Sequence, residues 1–232
     1  MKLLAFDTST DTLSIAVCRD AQTWQHTGPG AAQASGSLIP SILELLAQAG
    51  LRLQELDAIV FGRGPGSFTG LRTACSVAQG LALGAGVPVL AVDTLMALAE
   101  EARFEFARLN TGFEMQKITA LLDARMGEIY FQCYDFGSGQ AIGIRHCELI
   151  KPQDLALHVD LRGPQLLAGN VFEVYAQQLP VGGTRQAALP TALAMLRLAP
   201  GLIGAGQCVR AEQALPLYVR DKVALTTLER LK

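Results

Sequence analysis

One short run of this chain has the residue types of an anion-binding turn. The run Gly62-Arg63-Gly64-Pro65-Gly66-Ser67-Phe68-Thr69-Gly70-Leu71-Arg72 separates a buried-strand pattern from a long apolar helix pattern. Glycine and proline allow tight turns and positive φ, and Ser67 stands where a side chain can cap the next helix. Such a turn points backbone amides and the positive helix end outward, as phosphate and carboxylate sites do. Gly64, Gly66 and Ser67 are therefore candidate anion-binding residues.

The spacing of this run excludes the two common nucleotide-loop motifs. A Walker loop ends in Gly-Lys-Ser/Thr, and the chain has no lysine between Lys2 and Lys117. Gly64, Gly66 and Gly70 are spaced one residue too long for the Rossmann fingerprint. From the residues alone, a structural corner between strand and helix is the favoured interpretation, and an anion site is the alternative.

Other side chains with catalytic potential are scattered. The histidines lie in separate segments without an i, i+4 pair: His26, His146 and His158. The five cysteines form no Cys-x-x-Cys pair and are expected to be reduced thiols. A polar turn carrying Asp123, Arg125 and Glu128 lies between two apolar strands, where it forms either a site or, as we favour, a solvated hairpin.

Composition predicts a globular chain with a sizeable core, since 50% of its 232 residues are hydrophobic and 17% are charged. The net charge of −2 lacks the excess of positive charge that is typical of nucleic-acid-binding proteins. Contact with RNA is therefore expected to depend on a partner. The uncharged stretch 73–92 is broken by Gly84, Gly86 and Pro88, which favours a buried helix and strand over a membrane span. With no apolar signal segment at the start, we expect a cytoplasmic protein.

The hydrophobic pattern predicts two regions in which strands and helices alternate. In the first, strands are predicted at 3–7, 13–18, 23–26, 57–61 and 88–92, and helices at 37–49, 67–85 and 94–104, with Thr94 capping the last. In the second, strands are predicted at 117–122, 128–136, 142–150 and 166–168, and helices at 171–178 and 191–198, with a glycine-rich linker at 180–186. We expect one lobe of residues 1–104 plus the C-terminal segment 207–232, and a smaller lobe of residues 105–206.

The order of elements in the first region resembles half of an actin or sugar-kinase domain. More specific stretches resemble the TsaB family of bacterial tRNA threonylcarbamoyladenosine biosynthesis subunits, over nearly the whole length. These stretches are Phe6-Asp7-Thr8-Ser9-Thr10, the glycine-rich run, Ala78-Gln79-Gly80-Leu81-Ala82, Asp123-Ala124-Arg125-Met126-Gly127-Glu128-Ile129-Tyr130 and Pro216-Leu217-Tyr218-Val219-Arg220. The resemblance implies an actin/sugar-kinase-like α/β fold of two related lobes, each a mixed sheet flanked by helices.

The same resemblance implies a non-catalytic subunit that binds the paralogous catalytic subunit TsaD. TsaD transfers threonylcarbamoyl to N6 of adenosine 37 in tRNAs that read codons beginning with A. A TsaE-type ATPase is the second implied partner, tRNA is met only through the complex, and the chain alone is expected to form a homodimer. No cofactor is expected in this chain, and ATP or ADP only at the assembled complex.

The resemblance also indicates which positions of this chain correspond to the catalytic residues of the paralogue. The paralogue carries a metal-binding His-x-x-x-His where this chain has Thr94 and Leu98, so no metal site and no catalytic residue are expected. Asp7, Thr8 and Ser9 resemble the phosphate-binding hairpin of the superfamily. The superfamily usually has glycine at the position of Thr8, and the β-branched side chain leaves less room for a phosphate group to approach the backbone. Many family members carry a histidine just before the first helix, where this chain reads Ala34-Ser35-Gly36.

The helices predicted at 37–49 and 67–85 form the subunit interface in these families. The interface residues that this implies are Leu38, Ile42, Leu45, Leu71, Ala74, Cys75 and Ala78. Wide apolar stripes and small-residue faces are equally common in helices of a monomer core, which is the alternative. The competing function is that of an enzyme acting alone, either an actin-fold ATP-binding enzyme or a metallopeptidase-like hydrolase.

Overall fold

The computed structural model describes residues 1–110 and 115–220. Its strands are β1 (Lys2–Asp7), β2 (Thr12–Arg19), β3 (Gln22–Pro29), β4 (Ala58–Gly64), β5 (Val89–Asp93), β6 (Lys117–Asp123), β7 (Ile129–Asp135), β8 (Ile142–Gly143), β9 (Glu148–Ile150), β10 (Leu166–Gly169) and β11 (Thr184–Ala187). Its α-helices are α1 (Ala34–Ala49), α2 (Phe68–Ala85), α3 (Thr94–Leu109), α4 (Leu155–His158) and α5 (Ala192–Gly204). The predicted start of the second region at 111–112 and residues 221–232 of the C-terminal segment lie outside the described residues.

The first sheet has the strand order β3-β2-β1-β4-β5 and is covered on both faces. β1 pairs antiparallel with β2 and parallel with β4. Side chains of a strand alternate between faces, and Leu3, Leu4, Ala5 and Phe6 of β1 are all buried. Leu4 and Phe6 pack with α1 and α2, whereas Leu3 and Ala5 pack with α5. Because β1 is buried on both faces, the position of its last residue, Asp7, is well defined.

The second sheet has the order β11-β10-β6-β7-β8, with β9 also paired to β7. Here too an antiparallel hairpin, β6–β7, stands beside parallel strands. Helix α3 lies between the two sheets: Ala97 packs on the first, and Leu95, Leu98 and Ala102 pack on the second. The predicted fold class is confirmed, because the structure is a mixed α/β fold with two mixed sheets flanked by helices.

Several predicted elements differ from the structure. α1 begins at Ala34 rather than at residue 37, residues 172–178 form turns rather than a helix, and the strand predicted at 142–150 is two short strands. The predicted linker 180–186 contributes to β11, which pairs parallel with β10. The differences at 142–150 and 180–186 depend on long-range strand pairing, which a local sequence pattern does not report.

The C-terminal half returns to the first sheet earlier than expected. α5 was assigned to the smaller lobe, but its residues Ala192, Met195 and Ala199 are fully buried against the first sheet. The lobe boundary near residue 206 therefore does not follow the packing. The described end of the chain, Leu215 to Arg220, continues across the first lobe and reaches the β6–β7 turn.

Candidate functional site

The glycine-rich run is held tightly against the turn that joins β1 and β2. The backbone amide of Ser67 donates a hydrogen bond of 2.7 Å to the carbonyl oxygen of Ser9, and the Thr8 hydroxyl donates one of 2.7 Å to the carbonyl oxygen of Gly70. A Cβ on Gly70 would overlap the Thr8 carbonyl oxygen, and one on Gly66 would lie 2.5 Å from the Ser9 carbonyl oxygen. These glycines are explained by the close approach of two backbones.

The contact between the two turns uses backbone amides that a bound anion would need as hydrogen-bond donors. The Ser67 amide is bonded to Ser9, and the Ser9 amide is bonded to Asp7 at 2.8 Å. Ser67 is the N-cap residue of α2, yet its side chain makes no capping bond. The contacts of this turn therefore favour a structural role between strand and helix. Gly66 and Ser67 nevertheless line the cleft between the lobes.

Asp7 is a buried carboxyl at the end of β1. It accepts hydrogen bonds from the Ser9 hydroxyl at 2.6 Å and from the Thr94 hydroxyl at 3.4 Å. Burial raises the pKa of Asp7 to about 6, and the bonds from Ser9 and Thr94 oppose that rise. Thr94, predicted to cap α3, is instead the first residue of that helix, and Asp93 is its N-cap. A Cβ on Gly62 would overlap the Asp7 carboxylate, so the carboxyl group fills the available space.

The β6–β7 turn faces the β1–β2 turn across the interlobe cleft. Arg125 and Met126 both adopt positive φ, and the Arg125 guanidinium reaches Asp11 at 2.6 Å. Both side chains of this pair are more than two-thirds exposed, so it contributes about 1 kcal/mol at most. Asp123 accepts bonds from the Arg125 amide and, at 2.7 Å, from the Tyr175 hydroxyl.

Only two members of the predicted trio of this turn come together, because the Arg125 guanidinium lies 3.4 Å from the Asp123 carboxylate while Glu128 pairs elsewhere. Asp123 organises the turn, Arg125 spans the cleft, and Glu128 forms an ion pair of 2.7 Å with Arg220 of the C-terminal segment. Burial and the bond to Asp123 raise the pKa of Tyr175 to about 12, so its hydroxyl stays a donor at neutral pH. This arrangement agrees with the hairpin interpretation.

The helix residues predicted for the subunit interface lie in the core of the chain itself. All seven are at most 5% exposed, and they pack against the first sheet, each other or the glycine-rich run: Leu38, Ile42, Leu45, Leu71, Ala74, Cys75 and Ala78. The apolar stripes of α1 and α2 thus cover their own sheet, as in the alternative of helices in a monomer core. Contact of these seven residues with a partner stays a prediction.

The opposite faces of the same two helices are exposed. On α1, Ile39 and Leu43 are 42% and 51% exposed, and on α2 Leu83 is 76% exposed. Gly80 and Gly84 also lie on the outer face of α2, where an added Cβ would meet nothing within 4 Å. We call these residues the outer α1/α2 surface. The wide apolar stripe of the first predicted helix includes Ile39 and Leu43, whereas sequence reasoning did not single out the outer face of α2, where the Gly80 and Gly84 pair was a visible signal.

No metal centre forms at the two positions that the resemblance singled out. Thr94 and Leu98 are both fully buried, Thr94 beside Asp7 and Leu98 in the apolar layer beneath the second sheet. Within residues 1–110 and 115–220, no group of three or more His, Cys, Asp or Glu side chains is placed to hold a metal ion. All five cysteines are free. In the same part of the chain, no helix is long and apolar enough to cross a membrane.

Comparison with known proteins gives consistent matches. The family model TsaD, tRNA N6-adenosine threonylcarbamoyltransferase, matches residues 29–189. The tRNA threonylcarbamoyladenosine biosynthesis protein TsaB of Escherichia coli is 33% identical and covers 97% of this chain and 96% of its own length. Its counterpart in Haemophilus influenzae is 34% identical over 96% and 95%. The solved structure of YeaZ from Pseudomonas aeruginosa is 36% identical, with a TM-score of 0.84 over 94% of this chain and 99% of that one.

Two mixed sheets flanked by helices, with opposed hairpin turns across a cleft, define a two-lobed class of mixed α/β proteins. Within that class, the full-length matches decide the family. The chain belongs to the TsaB family, inside the larger group that the TsaD model describes.

Proposed function

We propose that this chain is a non-catalytic subunit in the formation of N6-threonylcarbamoyladenosine at position 37 of tRNA, and that it activates a TsaD-type catalytic subunit by binding it. The observation that carries the proposal is full-length similarity to TsaB proteins, together with buried Thr94 and Leu98 where the resemblance places the metal ligands of TsaD. Neither side chain can replace an imidazole ligand.

The packed cleft supports the same proposal. A nucleotide-dependent enzyme of this fold needs free amides for phosphate at its hairpin turns, and here the Ser9 and Ser67 amides are bonded within the chain. This also argues against the alternative of an ATP-binding enzyme acting alone. The metallopeptidase alternative lacks a ligand cluster among the described residues.

The outer α1/α2 surface supports the choice of partner face. A helix-interior glycine costs up to about 1 kcal/mol relative to alanine, and neither Gly80 nor Gly84 is needed for packing against the described residues. Two outward glycines four residues apart allow the backbone of another helix to approach closely. With exposed Ile39, Leu43 and Leu83 nearby, this surface suits an apolar helix pair on TsaD, or a second copy of this chain when TsaD is absent.

The remaining partners follow from that assignment. A TsaE-type ATPase joins the assembled complex, and tRNA is met through the complex because the chain carries a net charge of −2. ATP or ADP belongs to the complex rather than to this chain alone, and the reaction takes place in the cytoplasm.

The proposal is tested by reconstitution with purified components. The chain alone should form no threonylcarbamoyladenosine on tRNA, and adding it to TsaD, TsaE and the threonylcarbamoyl-adenylate donor should raise product formation at least ten-fold over the mixture without it. Transfer by the chain alone, or stoichiometric metal in the purified chain, would refute the non-catalytic role. An unchanged rate on addition of the chain would refute activation.

A further inference from the structure

A second cavity lies beside the interlobe cleft, beneath the C-terminal segment. It has a volume of 250 Å³ and is walled by three parts of the chain. The start of α2 gives Phe68 and Leu71, the β6–β7 hairpin gives Tyr130, and the C-terminal segment gives Leu217 and Tyr218. The walls are thus mainly aromatic and aliphatic, as in small-molecule sites, but the volume is smaller than that of most drug-sized pockets.

One hydrogen-bond donor in the wall of this cavity has no acceptor. Arg220 and Arg125 line it, and no Asp or Glu side chain does. The outer nitrogens of Arg220 bond to Glu128, to the Ala124 carbonyl oxygen and to Met126 Sδ. Its Nε is buried and has no hydrogen-bond partner within the described part of the chain. A buried donor without a partner destabilises the folded state, and a ligand acceptor would remove that cost.

Tyr130 adds a second polar group at the same place. Its side chain is buried, which raises the pKa of the hydroxyl, and the adjacent Arg220 opposes that rise. The neutral hydroxyl therefore stands beside the guanidinium, and the Arg125 guanidinium is 69% exposed at the rim. Because Arg125 is paired with Asp11 and Asp123, and the outer nitrogens of Arg220 are bonded as described, Arg220 Nε is the donor left for a ligand acceptor.

We propose that this cavity binds a small monocarboxylate whose apolar part is about the size of a single ring. The apolar part lies against the wall formed by Phe68, Tyr130 and Tyr218, and one carboxylate oxygen accepts the Arg220 Nε hydrogen. Charge-assisted bonds of this kind are stronger than bonds between neutral groups. The proposal does not depend on the partner or the reaction assigned to the chain above.

Benzoate is the test ligand, and the methyl carbon of Met126, which lines the cavity, is the reporter in methyl NMR. Benzoate should shift this signal in a saturable way at concentrations up to about 10 mM, because a ligand of this size binds in the millimolar range. Benzamide, which has the same shape but no charge, should bind at least ten-fold more weakly. Equal binding of benzamide, or no saturable benzoate shift, would overturn the proposal.

Two variants locate the site. Arg220→Met removes the donor, and Ala124→Leu fills the cavity while keeping Arg220; each should weaken benzoate binding at least ten-fold. Arg185→Met is the control, because this exposed arginine bonds to Pro180 away from the cavity, and it should bind benzoate as the wild type does. If Arg220→Met fails to fold by circular dichroism, Ala124→Leu decides, and benzoate binding that survives Ala124→Leu overturns the proposal.

Discussion

Buried polar side chains at the end of β1 hold this strand to neighbouring elements by hydrogen bonds. Asp7 binds Ser9 and Thr94, and Thr8 binds the Gly70 backbone, so the start of the chain is tied to both α2 and α3. Asp7 has no cation among these partners, which is why its pKa is raised to about 6 rather than lowered. The residues resemble a phosphate hairpin, yet their contacts are internal.

The raised pKa of Asp7 predicts how stability depends on pH. The folded state binds the proton up to about pH 6 and the unfolded chain only up to about 3.8, so the free energy of unfolding falls as pH rises between these values. The loss is up to about 3 kcal/mol. Asp7→Asn should remove this part of the slope and be more stable than the wild type at pH 7. Urea unfolding at pH 4 and pH 7 measures both, and identical slopes in the two proteins would contradict the assignment.

The burial of Ala78 predicts the effect of a charge at this position. Ala78→Arg should lower the free energy of unfolding by more than about 3 kcal/mol, because the guanidinium would be desolvated in the core without a partner. Ser76→Arg, two residues away on the exposed face of α2, is the matched control and should change stability by less than about 0.5 kcal/mol. Thermal unfolding followed by circular dichroism compares them, and a fully stable Ala78→Arg would place Ala78 outside the core.

At the scale of elements, α2 has two faces with different tasks. Its inner face, with Gly70, Ala74 and Ala78, packs on its own sheet and the β1–β2 turn. Its outer face carries Gly80 and Leu83, which have no such packing. The bounds of α2 were predicted to within one residue, since Gly and Pro mark its ends. Which face meets a partner stays a prediction, because a helical stripe does not tell a sheet of the same chain from a partner's helix.

The outer glycine of α2 predicts a stabilising substitution. Gly80→Ala should raise the free energy of unfolding of the isolated chain by about 0.5–1 kcal/mol, because alanine loses less backbone entropy in a helix and its methyl group meets nothing here. Gly70→Ala is the control in the same helix and should destabilise, since its Cβ would overlap the Thr8 carbonyl oxygen. Chemical denaturation measures both. A destabilising Gly80→Ala would show that this position is already packed.

At the scale of the whole molecule, the two sheets are joined by α3 and by the C-terminal segment. The Leu217 amide bonds to the Arg63 carbonyl oxygen at 2.7 Å in the first lobe, and Arg220 pairs with Glu128 in the second. The sequence allowed prediction of the two-lobe α/β fold, because strand and helix periodicities are local. It did not allow prediction that α5 returns to the first sheet, because that depends on which apolar faces remain uncovered after the strands pair.

The central claim is that the outer α1/α2 surface binds a TsaD-type subunit, and binding of that subunit to two leucine variants tests it most directly. Leu83→Arg places a charge on this surface, whereas Leu157→Arg changes a leucine of α4 that is 82% exposed. Isothermal titration with the purified subunit should give an affinity at least ten-fold weaker for Leu83→Arg, because the guanidinium would be desolvated against the partner helix. Leu157→Arg should bind as the wild type does. Wild-type affinity in a folded Leu83→Arg would contradict the claim.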